Sequence, residues 1–294
     1  MVTFYRRLPK FDYIKPKSID EALGLLGEND HGDVKVYAGG TDVIPRLKSR
    51  LIQTPKFLVD LKGLSEWDYI QYDEREGLRI GALASISSVA HSVHVREHFG
   101  ILSQAAGSIA STQVQNRGTI VGNICNAVPS ADSAPALLCL GAKLSCVSRR
   151  GERIIDIEDF FAGPNQTVLN PDELVKEIRI PNMPPQSKGV YIKLSPRSRM
   201  DLAVVGVGAM VAQDNGRIQD VRIALGAVAP TPMRAKRAED VLKGEKVLGE
   251  TVMKAAETAS AESKPIDDHR ASAEYRRMMV QALVRRAINN TLSN

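Results

Sequence analysis

The sequence has no run of about 18 apolar residues, so we expect no helix that spans a membrane. Residues 1–18 have no apolar core and no cleavage-like site, so we expect no secretory signal. Cysteine is scarce: there are 3 in 294 residues, without a C-x-x-C pair. This argues against a disulfide framework and an iron–sulfur cluster. We therefore expect reduced thiols and a cytoplasmic location.

Familiar catalytic motifs are also missing. There is no Gly-x-Ser-x-Gly elbow, no H-E-x-x-H pair and no cysteine with a histidine partner. His91, His94 and His98 share one face of a predicted helical segment, Ser87–Ala110. No thiol completes a zinc site there, so we interpret them as part of a solvated face. The sequence predicts no catalytic side chain and no metal site.

Composition and charge indicate an ordinary globular protein. The chain is 43% hydrophobic and 25% charged, and its length favours two domains. A net charge of +5 would permit nucleic-acid binding, but the basic residues are scattered and no zinc-finger or RNP-type motif is present. We therefore predict no nucleic-acid partner.

The stretch that organises the chain is Val34–Lys48, VKVYAGGTDVIPRLK. An alternating apolar run ends at Gly39 and Gly40, where the backbone can turn with positive φ and let a ligand approach its N–H groups. Thr41 and Asp42 are expected to cap a following helix, whose first N–H groups suit an anion such as a phosphate. The pattern is neither G-x-G-x-x-G nor a Walker loop.

A second polar stretch, Asn116–Ala142, is predicted to be a loop that leads into a helix. Ser133 is expected to cap that helix, Pro135–Leu140. Two separate glycine-containing loops that each precede a helix would suit a long diphosphate cofactor. The polar and glycine residues of the second loop are Gly118, Thr119, Gly122, Asn123, Ser130 and Asp132.

These two stretches resemble the cofactor loops of a known family. AGGTD at Ala38–Asp42 and TIVGNICNAVPSAD at Thr119–Asp132 are similar to those of the flavin-binding middle subunit of molybdenum hydroxylases, the family of carbon monoxide dehydrogenase and xanthine dehydrogenase. The likeness covers nearly the whole chain. It includes LVKEIRIP at Leu174–Pro181 and KLSPRSRMDLA at Lys193–Ala203.

The resemblance implies an α+β fold in two parts. Residues 1–180 would form a two-subdomain FAD-binding domain of the vanillyl-alcohol oxidase type, split near residue 57. Residues 181–294 would form a small α+β C-terminal domain, a sheet covered by helices. The stretch Pro181–Gly189, with three prolines, suits a boundary.

The resemblance also implies the site. FAD would bind non-covalently, since the first loop holds no His or Cys. Asp132 would hold the adenosine end, Leu174 would pack on the cofactor, and Lys193 would place a positive charge near the flavin ring. Val121 stands at the family's usual second glycine. The implied cofactor-binding residues are Tyr37, Ala38, Gly39, Gly40, Thr41, Asp42, Gly118, Thr119, Gly122, Asn123, Asp132, Leu174 and Lys193.

The same resemblance implies partners and a role. A large subunit would carry molybdopterin, a small subunit would carry two-iron iron–sulfur clusters, and the three chains would form a dimer of heterotrimers. This chain would pass electrons to an external acceptor. Met200 stands where relatives that use nicotinamide nucleotides have an acid, which argues against NAD. The alternatives are a free-standing FAD-dependent dehydrogenase or oxidase, and a basic nucleotide- or nucleic-acid-binding module.

Local patterns predict the remaining elements. Ser18 should cap helix Ile19–Leu26, and Asn215-Gly216 should close a hairpin. In the last helix, Tyr275, Met279, Leu283 and Ala287 form an apolar stripe, with Arg276 off it. Phe160–Pro171 is expected to be a loop. The predicted strands are Phe57–Leu61, Tyr69–Tyr72, Leu78–Ala82, Lys143–Ser148, Arg153–Ile157, Leu174–Ile180, Val190–Leu194, Ala203–Gln213 and Arg217–Val228, and the predicted C-terminal helices are Arg237–Leu242, Glu250–Ser260 and Ala271–Asn289.

Overall fold

The computed structural model describes residues 7–30, 32–197, 200–246 and 248–292. The chain begins with a small parallel sheet. Its elements are β1 (Asp12–Ile14), α1 (Ile19–Glu28), β2 (Val34–Tyr37), α2 (Val43–Lys48) and β3 (Phe57–Asp60). The strand order is β1-β3-β2, so β3 lies between the two earlier strands. As predicted, the Ser18 hydroxyl caps α1 by accepting from the N–H of Glu21.

A second, antiparallel sheet follows, surrounded by short helices. Two 3-10 turns, Leu61–Gly63 and Ser65–Trp67, lead into it. Its region contains β4 (Ile70–Asp73), β5 (Gly77–Gly81), α3 (Ile86–His91), α4 (Val93–His98), α5 (Gly100–Gly107), α6 (Thr112–Gln115), α7 (Ile120–Cys125), α8 (Ser133–Leu140), β6 (Lys143–Ser148), β7 (Gly151–Asp156), α9 (Ile157–Phe160), β8 (Phe161–Gly163), β9 (Gln166–Thr167) and β10 (Leu174–Ile180). The sheet has the order β4-β5-β10-β6-β7, and β8 pairs with β9 as a separate hairpin.

The predicted helical segment Ser87–Ala110 is three short helices, not one. The breaks fall at Ser92, whose backbone is extended, and at the fully buried Phe99. The rings of His94 and His98 stack on Tyr72, with centroids 5.4 and 4.4 Å from its ring. Tertiary packing thus decides where these helices end.

Two expectations for the stretch Asn116–Ala142 are wrong. It is not an open loop, because Thr119 caps the helix α7 by accepting from the N–H of Gly122 at 2.9 Å. Ser133 does not cap α8: it lies within the helix and donates to Asn123 at 2.6 Å. The polar side chains that suggested a loop are caps and cross-links between α7 and α8.

The C-terminal region is a four-stranded antiparallel sheet covered by helices. Its elements are β11 (Ser187–Leu194), β12 (Val205–Asp214), β13 (Arg217–Gly226), β14 (Met233–Arg234), α10 (Lys236–Leu242), α11 (Gly249–Glu262) and α12 (Ala273–Leu292). The β12–β13 turn has Asn215 and Gly216 at φ of 49° and 74°, as the sequence predicted. Within the described part of the chain, no helix has the length and apolar character needed to cross a membrane.

The buried apolar side chains form two clusters. One surrounds the five-stranded sheet and helices α3 to α8, and the other fills the space between the C-terminal sheet and α10 to α12. Gly189 and Gly208 mark where the two regions meet closely, because a Cβ would lie 3.0 Å from Ile101 at the first and 2.9 Å from the Pro135 carbonyl at the second. Small residues on the sheet therefore allow the N-terminal helices to pack against it.

The predicted stripe on α12 is wrong at its start. Tyr275 is 44% exposed, whereas Arg276 is 1% exposed. The guanidinium of Arg276 donates to the carbonyls of Val204 and Ala227, at 2.9 and 2.8 Å, and to Asp268 at 2.7 Å. A buried arginine is stable here because two carbonyls from distant segments and the carboxylate of Asp268 accept its hydrogen bonds.

Replacing Arg276 with Met should destabilise the C-terminal region by about 3 kcal/mol, because two buried carbonyls lose a charged donor. Urea unfolding followed by circular dichroism measures this change. The control is the adjacent, exposed Arg277→Met, expected to shift stability by less than about 0.5 kcal/mol. Equal effects of the two variants would contradict the assigned role of Arg276.

Asp268 should make stability depend on pH. Partial burial opposes its ionisation, but hydrogen bonds from Arg270 and the charge of Arg276 outweigh burial and hold the pKa of this carboxyl well below its usual range. A folded-state pKa below the unfolded value, about 4, stabilises the protein above that pH, and the gain is lost as pH falls further. The stability difference between the wild type and Asp268→Asn should therefore shrink below about pH 4. A difference that grew on acidification would contradict this.

Candidate functional site

A cavity of about 790 Å³ lies where the first sheet meets the second. This volume falls within the range of about 300–1,000 Å³ typical of small-molecule sites. Its walls come from β2 and the loop after it, from α2, from α7 and the residues before it, and from the β8–β9 hairpin with residues 169–175. Three segments that are far apart in sequence thus enclose one space.

The first wall depends on two glycines. A Cβ on Gly39 would overlap the carbonyl oxygen of Arg117 and lie 2.7 Å from the Cα of Gly118. Gly40 has a φ of 74°, in the left-handed region. The loop after β2 and the loop before α7 therefore touch backbone to backbone, which only glycine permits at this point.

The first loop presents free backbone donors. Among the described residues, the N–H groups of Gly39, Gly40 and Thr41 donate no hydrogen bond, while the carbonyl of Gly40 accepts from Ile44 at 3.1 Å. Asp42 occupies the N-cap of α2 but makes no side-chain cap bond, so the predicted capping by Thr41 and Asp42 is wrong. Burial raises the pKa of Asp42 against the opposing effect of Arg46. Backbone N–H groups that donate no hydrogen bond within the protein and lie beside a cavity can bind an anion.

The second wall is held by its own side chains. Thr119 caps α7, and the amide oxygen of Asn123 accepts from Ser133. Val121 is 5% exposed, so its side chain contributes to the core while α7 still borders the cavity. The valine at the family's usual glycine position is therefore accommodated by packing.

Two cationic side chains, Lys35 and Arg46, line the cavity, and neither was among the residues implied from the sequence. Arg46 donates to Asn126 at 3.0 Å and to Asn165 at 3.2 Å, and so joins α2, the end of α7 and the β8–β9 turn. Lys35 also lines the cavity, and burial lowers its pKa, as does the charge of Arg46. The alternation of side chains along β2 could have indicated Lys35, because it places Lys35 on the same face of the strand as Tyr37.

All but two of the implied cofactor residues line the cavity; Asp132 and Lys193 are not among the lining residues. They form a buried ion pair at 2.8 Å, and Asp132 also accepts from the Tyr191 hydroxyl at 2.7 Å. The Lys193 ammonium also donates to the carbonyl of Ser108 at 3.0 Å. Both side chains are less than one-tenth exposed, so each charge needs the other as a partner.

The buried surroundings of Asp132 affect its own pKa and that of Tyr191. Burial raises the pKa of Asp132 in spite of the Lys193 charge, and burial together with Asp132 raises the pKa of Tyr191 well above its ordinary value. The pair connects to the cavity wall through Ser133, which follows Asp132 and bonds to Asn123, and through Ser108, which precedes the cavity-lining Ile109. It therefore joins β11 to the start of α8 as a structural contact.

No metal centre is visible in this part of the molecule. In residues 7–30, 32–197, 200–246 and 248–292, no group of three or more His, Cys, Asp or Glu side chains could hold a metal ion. The backbone N–H groups of the first loop and the cations Lys35 and Arg46 suit the cavity to an organic, anionic ligand.

Comparison with known proteins agrees with this geometry. Residues 9–183 match the model of the FAD binding domain in molybdopterin dehydrogenase, and residues 190–291 match the CO dehydrogenase flavoprotein C-terminal domain. The chain is 32% identical to the xanthine dehydrogenase FAD-binding subunit of Escherichia coli O157:H7, over 96% of both chains. It is 34% identical to the carbon monoxide dehydrogenase medium chain of Hydrogenophaga pseudoflava, again over 96% of both.

Solved structures show the same relationship. Carbon monoxide dehydrogenase from Hydrogenophaga pseudoflava superposes with a TM-score of 0.93 at 34% identity, covering 97% of this chain and 98% of the other. Quinoline 2-oxidoreductase from Pseudomonas putida 86 superposes with a TM-score of 0.90 at 30% identity, covering 97% and 98%. The chain therefore belongs to the family of FAD-binding medium subunits of molybdenum hydroxylases of the carbon monoxide dehydrogenase and xanthine dehydrogenase type, which are oxidoreductases.

Proposed function

We propose that this chain binds FAD non-covalently in the cavity and acts as the electron-transfer subunit of a molybdenum hydroxylase. The observation that carries the proposal is the contact between the two glycine loops, which leaves the N–H groups of Gly39, Gly40 and Thr41 beside the cavity. Bound FAD supplies reversible electron and hydride transfer at its ring system.

The residues present fit this cofactor. Free N–H groups and the cations Lys35 and Arg46 offset the charge of a diphosphate. Leu174 is 4% exposed and gives the wall an apolar face. Burial raises the pKa of the cavity-lining Cys125 thiol to about 12, so it stays neutral and is a poor nucleophile, which supports non-covalent binding.

The proposed partners follow from the named relatives, which are medium chains and subunits. We infer an assembly with a molybdopterin-containing large subunit and an iron–sulfur small subunit, as a cytoplasmic dimer of heterotrimers. This chain would receive electrons from the small subunit and pass them to an external acceptor. We also infer a division near residues 180 and 181, which the two separate apolar clusters support.

The purified chain should show flavin absorption bands, and denaturation should release free FAD that chromatography identifies. A folded, colourless protein that also failed to bind added FAD would contradict the proposal. Copurification with two further chains and molybdenum distinguishes a hydroxylase subunit from a free-standing FAD dehydrogenase, which would purify alone with activity of its own.

Gly39→Ala should weaken FAD binding by roughly tenfold or more, since a cost of about 1.4 kcal/mol for separating the loops already corresponds to tenfold. The added Cβ would overlap the Arg117 carbonyl. Gly27→Ala is the matched control, because no atom lies within 4 Å of a Cβ there. Fluorescence titration of the flavin-free protein measures both. Unchanged affinity in Gly39→Ala would show that the loop contact is not needed for binding.

A further inference from the structure

A polar cluster around Asp60 and Lys62, neither of which lines the cavity, contacts the first glycine loop. Its centre is Asp60, the last residue of β3, which is 3% exposed. The carboxylate accepts from the hydroxyls of Tyr13 and Tyr37 at 2.7 and 3.0 Å. It also accepts from the backbone N–H and the ammonium of Lys62, at 2.9 and 2.7 Å. One buried carboxylate thus accepts four hydrogen bonds, from donors in β1, β2 and the 3-10 turn after β3.

Lys62 connects this cluster to the cofactor loop. Its ammonium donates to the carbonyl oxygen of Ala38 at 3.0 Å and lies 4.0 Å from the centre of the Tyr37 ring. Ala38 and Tyr37 line the cavity, whereas Lys62 is not among the lining residues. The ammonium therefore contacts the loop without lining the cavity.

The contact with Ala38 determines the direction of one N–H group. In a trans peptide the carbonyl of one residue and the N–H of the next point to opposite sides of the same plane. The described chain has no cis peptide bond. Because Lys62 holds the Ala38 carbonyl on its own side, the N–H of Gly39 is directed away from Lys62.

Charge keeps the contact in place at neutral pH. Burial opposes the ionisation of Asp60, but hydrogen bonds from Lys62 and then Tyr13 outweigh it and lower the pKa of the carboxyl. The ionised carboxylate orients the Lys62 ammonium, whose side chain is only 33% exposed. A charge-assisted hydrogen bond of this kind is stronger than a neutral one.

We propose that Lys62, held by Asp60, is a positioning residue that sets the Ala38–Gly39 peptide plane so that the Gly39 N–H faces the cofactor diphosphate. This inference rests on the proposed FAD site. Lys62 contacts the loop and does not line the cavity, so its effect would pass through the orientation of one peptide group.

The test compares Lys62→Met with the wild type in the full chain after flavin removal. Met keeps the length of the side chain but cannot donate to the Ala38 carbonyl. Loss of this charged donor should weaken FAD binding by roughly tenfold in a fluorescence titration. Lys62→Arg keeps the charge and the donor and should retain most of the affinity. Lys56→Met is the control, because Lys56 pairs with Asp33 at 2.6 Å and does not line the cavity.

A phosphorus NMR spectrum at saturating FAD distinguishes positioning from a general loss of stability. The two diphosphate resonances should shift in Lys62→Met and stay unchanged in Lys56→Met. Unchanged affinity, or weaker binding with unshifted resonances, would overturn the proposal. If Lys62→Met does not fold, Lys62→Leu, which also cannot donate, carries the same comparison with the same two outcomes. Failure of the wild type to bind FAD would instead overturn the proposed function.

Discussion

The site depends on one close backbone contact, between Gly39 and the carbonyl of Arg117. That contact leaves no room for a side chain, and it brings together loops that are about 80 residues apart in the chain. The first loop is also held from its other side, where Lys62 bonds to the Ala38 carbonyl. A loop held on two sides keeps its free N–H groups in one orientation, which is what binding an anion through the backbone requires.

Hydrogen bonds from arginine side chains explain how the remaining segments are joined. Arg46 links α2 to Asn126 and Asn165, and so ties the β8–β9 hairpin to the cavity wall. Arg276 joins α12 to the segment before β12 and to the residue after β13. The two acceptors of Arg46, and the Val204 and Ala227 carbonyls that Arg276 contacts, all lie at least 49 residues away in the sequence. Arg276 is the buried cation of the two, and leaving it unpaired would cost several kcal/mol, on the order of 3–5. These contacts determine the arrangement of the elements more than local propensity does.

The difference between local and long-range contacts explains which features the sequence could predict. Ser18, Asn215-Gly216 and the strand Leu174–Ile180 depend on neighbours in the chain, and the structure has each as expected. The glycine loop after β2 was also recognisable, because a strand that ends in Gly-Gly is a local signal. The roles of Arg46 and Arg276 were not visible, since their acceptors lie up to 119 residues away. The break of Ser87–Ala110 into three helices likewise comes from packing.

The sequence resemblance implies that Asp132 and Lys193 are cofactor residues, and that role stays a prediction. In the structure their charges are paired with each other, and neither side chain lines the cavity. Lys193 and Tyr191 belong to β11 of the C-terminal sheet, while Asp132 immediately precedes α8 of the N-terminal region. A paired charge that is less than one-tenth exposed cannot be separated without leaving one partner unsatisfied. The C-terminal sheet is therefore held against the helix that carries Ser133, and Ser133 in turn fixes Asn123 in the cavity wall. Through these contacts the C-terminal region supports the cavity wall, and none of its described residues lines the cavity.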